Sequence, residues 1–159
     1  MLDILPWSTG VGVVVALLLG AIGVVLSVFS GARVGKYRSR ALMTDNELEF
    51  FFRLSKALPH HLVFPQVSLQ ALVEAASSDK KTAHADRLRI AQQRADYVVC
   101  NPAGAVIVVV ELDDSTHEAK RDAVRDARLK QAGIKTVRYH AKAKPSSAAI
   151  QQDILGLSK

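Results

Sequence analysis

The sequence predicts an α/β domain carried behind one transmembrane helix. Three observations lead there. Residues 11–29 hold no charged side chain. Residues 94–117, R-A-D-Y-V-V-C-N-P-A-G-A-V-I-V-V-V-E-L-D-D-S-T-H, read as two strands joined by a turn. Around that hairpin, capped helices alternate with short β-branched runs, in the order helix, three strands, helix, strand.

The apolar run comes first. At about 1.5 Å per residue, a helix over residues 11–30 nearly spans a hydrocarbon core of roughly 30 Å. Trp7 and Tyr37 bracket it at headgroup depth. Residues 1–10 carry only Asp3, whereas residues 31–43 carry Arg33, Lys36, Arg38 and Arg40. Positive charge stays on the cytoplasmic side. Residues 1–10 are therefore expected to face outward and residues 11–30 to cross the membrane once. Residues 31–43 are then a basic juxtamembrane linker, and residues 44–159 a cytoplasmic domain. A cleaved secretory signal needs a basic leading region and a shorter apolar core, and the sequence has neither.

The formal charge of +6 is unevenly spread. Residues 1–40 have four basic and one acidic side chain, residues 41–115 seven and ten, and residues 116–159 ten and four. The domain beyond residue 40 is thus only +3, too little to announce a nucleic-acid binder by charge alone. Its halves differ in sign: an acidic half carries the hairpin and a basic half follows. Cys100 is the only cysteine. No disulfide within the chain can form, which fits a reducing compartment, and a thiol inside a strand reads as a packed side chain.

Thr44-Asp45-Asn46-Glu47 matches a capping box, so a helix should start at Asp45. Phe51, Leu54 and Leu58 form its apolar stripe, and Pro59 ends it. Glu47 lies on that stripe. It either only closes the capping box or also reaches inward towards the hairpin. His60-His61 lack metal-pair spacing and read as loop. Residues 62–69 read as a strand that Pro65 confines to an edge or a bulge. Residues 70–94 are polar and Ala-rich, with an exposed turn at residues 77–81 and room for short helices. Arg87, Arg89 and Arg94 there could meet a phosphate or form a solvated face.

Residues 97–100 and 105–112 are the hairpin strands, with Asn-Pro-Ala-Gly between them. Pairing Cys100 with Ala105 sets Asp96 against Val109 and makes Glu111 its diagonal neighbour on the same face. Two carboxylates at roughly 7–8 Å could share one hard cation. Asp113 points the same way.

Ser115-Thr116-His117-Glu118 is a second capping box, so a helix follows to Ala132, with Gly133 as its C-cap. Its free N–H groups and positive dipole end would lie near the acids and suit a phosphate oxygen. Asp122, Arg125, Leu129 and Ala132 share one face at helical spacing. Residues 134–139 are the last strand, parallel to its predecessor through the helical crossover. Residues 141–145 are a linker. Ser146 or Ser147 caps a final helix ending near Leu157.

This order, with acids on the hairpin, resembles the restriction-endonuclease-like core of the PD-(D/E)xK nuclease superfamily. It is more closely similar to a bacterial family, domain of unknown function 2726. The residues that carry the likeness are Glu47, Asp96-Tyr97-Val98, the run Glu111-Leu112-Asp113-Asp114-Ser115-Thr116-His117, Arg121-Asp122 with Arg125-Asp126, and Ala132-Gly133-Ile134 with Arg138. They lie within residues 44–140. The resemblance implies that Asp96 and Glu111 bind a metal and that Glu47 is the acid of the first helix. Mg²⁺ suits such an all-oxygen site, and Mn²⁺ can substitute. The superfamily lysine should stand two residues after the glutamate, where this chain has Asp113. A cation must then come from Lys120, Arg121 or Arg125, and His117 could act as acid or base.

Two functions follow as expectations. One is a nuclease anchored in the cell inner membrane, hydrolysing phosphodiesters of DNA or RNA with Mg²⁺ at the cytoplasmic face. The other is an inactive module on the same fold that binds nucleic acid or a protein partner there. Phosphate binding weakens steeply with salt, which separates a nucleic-acid contact from an apolar protein contact.

Overall fold

A computed structural model describes residues 7–29, 35–114 and 119–157, without the side chains at 7–10, 23, 25–29 and 119–121. The chain divides into two compact units, Met1–Arg40 and Ala41–Lys159.

The first unit holds helix α1 (Trp7–Phe29). Among the described residues no helix is long and apolar enough to cross a membrane. The side chains described on α1 cover only residues 11–22 and Val24, short of the about 20 apolar residues a span needs. The transmembrane helix expected over residues 11–30 is therefore unsupported.

The second unit is an α/β fold. Its elements are α2 (Asp45–Ala57), β1 (Leu62–Ser68), α3 (Lys80–Ile90), β2 (Arg94–Cys100), β3 (Val106–Asp113), α4 (Ala119–Gln131), β4 (Lys135–His140) and α5 (Ser147–Gly156). The four strands form one mixed sheet in the order β1-β2-β3-β4. The first two pairings are antiparallel and β3 with β4 is parallel. Pro65, which cannot donate to a ladder, sits on the edge strand β1.

Each face of the sheet has its own core. Helices α2 and α5 cover one face with Phe50, Leu54, Ile150 and Ile154 against Tyr97, Val99, Val108, Val110 and Tyr139. Phe50 is fully buried, its ring 5.6 Å from those of both Tyr97 and Tyr139. The stripe of α2 thus centres on Phe50, with Phe51 only packed against its margin. On the other face, Leu129 of α4 and Ile90 of α3 meet Ala95, Val98, Cys100 and Val109. Cys100 is a buried free thiol, which burial pushes above its usual pKa.

Local chemistry explains the element ends. Thr44 and Glu47 make the full capping box: the threonine hydroxyl accepts from Glu47 N, and Glu47 Oε2 accepts from Thr44 N at 2.6 Å. Residues 77–81 are not a simple turn. Asp79 Oδ2 accepts from Thr82 N at 2.7 Å and starts α3. That helix buries only Ala83 and Ile90, so its apolar period is almost silent in the sequence. The second capping box, residues 115–118, lies outside the described residues.

The hairpin turn sets the site. Asn101 Oδ1 accepts from Ala103 N and Ala105 N, and Gly104 takes a φ of 85°. Cys100 consequently pairs with Val106, not Ala105, and a bulge between Val99 and Cys100 shifts the ladder again to Val99↔Val108 and Tyr97↔Val110. The total slip is two residues. A slip of two keeps every side chain on its face. Continued by one rung, it sets Asp96 opposite Glu111, where the sequence had placed Val109.

The packing makes a prediction within one helix. Phe50→Ala should destabilise the chain by about 3–5 kcal/mol. Phe52→Ala, two residues on and 62% exposed, should cost less than about 0.5 kcal/mol. Urea unfolding midpoints of the two variants check this; similar losses would mean that the helix face is wrongly assigned.

Candidate functional site

Asp96 and Glu111 meet where the β2–β3 ladder ends. Asp96 Oδ2 accepts from Leu112 N at 3.0 Å, so its side chain takes over a rung that backbone would otherwise fill. The register brings the two carboxyl groups together, and the charge of Asp96 acts on Glu111. Glu111 is 1% exposed. Its backbone is locked on the other side by pairing with Arg138 in the parallel strand β4.

A buried carboxylate is costly unless paired. One oxygen of Glu111, Oε2, lies 3.1 Å from Arg125 Nη2 of helix α4. The other, Oε1, is buried without a hydrogen-bond partner. Arg125 Nη2 also lies 3.2 Å from Asp122 Oδ1, yet neither contact has hydrogen-bond alignment, and Arg125 Nε is likewise unpartnered. Arg125 Nη1 donates to Arg94 O at 3.4 Å, which holds the guanidinium over the start of β2.

The electrostatics follow. Burial, then the Asp96 charge, push the Glu111 carboxyl up to about 8, against the pull of Arg125 and Arg138. Burial also raises Asp96; the Leu112 N–H opposes this and the Glu47 charge adds to it. At neutral pH the pair therefore retains a proton that two separate surface acids would have lost.

The other expected residues divide. Glu47 closes its capping box, and its Oε1 accepts from Gln66 Nε2 at 3.3 Å. Its charge acts on Asp96. Asp113 faces the same side as Glu111 but is engaged elsewhere. Arg138 Nη1 donates to Asp113 Oδ1 and Oδ2 at 2.8 and 3.0 Å, and its Nη2 and Nε donate to Asp126 at 2.9 and 3.1 Å. His117 lies outside the described residues, as do the side chains of Lys120 and Arg121.

Two residues were not named as site residues by the sequence. Arg138 belongs to the conspicuous Ile…Arg motif, so a signal existed. Gln66 had none: its φ of 54° is the only positive value at a non-glycine among the described residues.

The donor chemistry is all oxygen. Among the described residues no group of three or more His, Cys, Asp or Glu could hold a metal ion. Asp96 with Glu111 supplies two carboxylates, and Mg²⁺ characteristically uses one or two and keeps several waters. The orphaned Glu111 Oε1 is the atom such an ion would satisfy. An open groove of about 790 Å³ lies apart from these acids. Its charged walls are Glu74 and Asp86 against Arg89 and Arg128, so it presents no net charge.

The chain is 32% identical over 109 residues to a Haemophilus influenzae protein described as "Uncharacterized protein", an overlap of 64% of this chain and 54% of that one. It thus spans about half the length of the curated relative it matches. No solved structure matches. The family described as "Protein of unknown function (DUF2726)" matches residues 39–157, and the chain belongs to that family.

Proposed function

We propose that the chain is a membrane-anchored nuclease of the PD-(D/E)xK superfamily, in which Asp96 and Glu111 hold Mg²⁺ for hydrolysis of nucleic-acid phosphodiesters. The observation that supports it most is the placement of two carboxyl groups face to face at the end of a ladder, with Glu111 Oε1 buried and unpartnered. A structural ion pair would have satisfied that oxygen.

Mg²⁺, when bound, supplies Lewis acidity towards the phosphodiester and lowers the pKa of an attacking water. The chain's own groups prepare this. Glu111 must give up the proton that its raised carboxyl retains at neutral pH before the pair can hold a dication. Arg125 stands beside Glu111 with donors that lack aligned acceptors, and those donors suit a phosphoryl oxygen. It takes the place of the lysine that the superfamily pattern puts at Asp113. The uncharged run at residues 11–29 and the basic residues that follow would tether the domain to the cytoplasmic face.

A second reading rests on Asp113. Its carboxylate is engaged by Arg138, so the lysine position is occupied by a structural ion pair. On that reading the domain binds nucleic acid or a protein at the membrane without cleaving.

Calorimetric titration of the full chain in mild detergent with Mn²⁺ tests the first reading. Saturable binding is expected, and Glu111→Gln should abolish it while leaving the fold intact. Equal binding by the variant would remove Glu111 from the site.

Without metal, the raised acids also govern stability. Below about pH 4.5, the ordinary value for Glu111, both folded and unfolded chains are protonated there. Between that value and about 8 the folded chain alone keeps the proton, so stability should fall as pH rises through this window and level off above it. Glu111→Gln should flatten the fall. Thermal unfolding in a chelator across pH 4–9 checks it, and a wild-type profile that rises with pH would contradict the protonated pair.

A further inference from the structure

We infer that Gln66 is a positioning residue, whose left-handed backbone and side-chain amide hold the Glu47 carboxylate beside the Asp96–Glu111 pair. The inference rests on the cation-binding reading of that pair.

Three observations converge on this residue. Strand β1 pairs Pro65 with Tyr97 and Val67 with Ala95, which leaves Gln66 at the register position of Asp96 with no rung of its own. Its φ of 54° is a conformation disfavoured for a residue with a Cβ. Its Nε2 donates to Glu47 Oε1 at 3.3 Å, across from one strand to one helix.

The backbone turn reorganises both strands. Val63 packs in the core beneath α2, whereas Val67 packs in the core on the opposite face. Tyr97 and Ala95 divide in the same way. In a regular strand, residues two or four apart share a face. Gln66 and Asp96 are therefore where the ribbon rolls over, and this roll carries Asp96 out of the ladder. Glycine would make the same turn without strain. What glutamine adds is the amide, and the amide reaches Glu47.

Glu47 is thereby fixed at both oxygens: Oε2 by the Thr44 cap and Oε1 by Gln66. A carboxylate fixed just outside a cation's own ligands raises affinity by ordering the ion's waters, an effect typically worth 10- to 100-fold.

The test uses Gln66→Gly in the full chain in mild detergent, with Mn²⁺ as probe. Relief of the left-handed strain should raise the metal-free melting temperature by about 3 °C. Loss of the amide should weaken Mn²⁺ binding about tenfold. Opposite movement of the two readouts is the signature, since a merely structural role would lower both. In a Glu47→Gln background, Gln66→Gly should cost no further affinity. A lower melting temperature for Gln66→Gly would overturn the inference. So would wild-type Mn²⁺ affinity in that variant, which would leave the proposed site itself standing. Absence of Mn²⁺ binding in the folded wild type would bring down the site and this inference together.

Discussion

The buried carboxyl of Glu111 is the constraint around which the second unit is built. A charge there has little water to solvate it, so its neighbours must do so. Those that favour the charge are Arg125 from α4 and Arg138 from β4, and Asp96 from β2 opposes it. The balance among them is uneven. Asp96 raises Glu111 from one side, while Arg125 and Arg138 lower it from the other, and burial with Asp96 prevails. Two carboxyl groups brought together in a buried space hold a proton more tightly than either would alone. The protonated form is the one the chain adopts alone; on the proposed reading a dication competes for the same oxygens.

The two arginines divide the labour. Arg138 is saturated: Asp113 and Asp126 each engage it through two contacts, and together they outweigh the burial that works against its charge. It ties α4 to β3 and β4 and fixes the height of the helix over the sheet. Arg125, thirteen residues earlier, is left with close but poorly aligned acids. A guanidinium whose N–H groups lack acceptors is poised for an incoming one. On the proposed reading, structure and chemistry are separated onto two residues that look alike in the sequence.

Much of this arrangement was legible in the chain. The Thr44 capping box, the edge position of Pro65 and the turn chemistry at Asn101 all rest on local rules, and local rules act wherever they occur. The two-residue register slip was not legible, because the bulge at Val99–Cys100 depends on how the turn closes. Facing survived since the period of a strand is two, so Asp96 and Glu111 still met, as direct and not diagonal neighbours. Helix α3 was hidden because it buries only Ala83 and Ile90; a helix held mainly by its cap shows no stripe. The partner of Asp113 was hidden because Arg138 is 25 residues away. Gln66 was hidden most completely, since nothing in a glutamine announces a positive φ.

What the sequence could not show is also what argues for a ligand. Stability alone would replace a buried, half-satisfied acid with an apolar side chain of similar size, an exchange that is often neutral or favourable. Stability alone would equally place glycine at residue 66. The fold does neither, and it departs from its own interest twice at one place: Gln66 and Asp96 occupy matching positions on β1 and β2, and Glu111 stands across the next rung. Two independent costs at one point of a sheet that is otherwise well packed are hard to ascribe to folding. On the proposed reading both are accounted for by one requirement, that the Asp96–Glu111 pair be kept together with the Glu47 charge acting on it. A positive ligand would make such an arrangement favourable. On the proposed reading that ligand is a divalent cation with a phosphodiester beyond it, the latter within reach of Arg125.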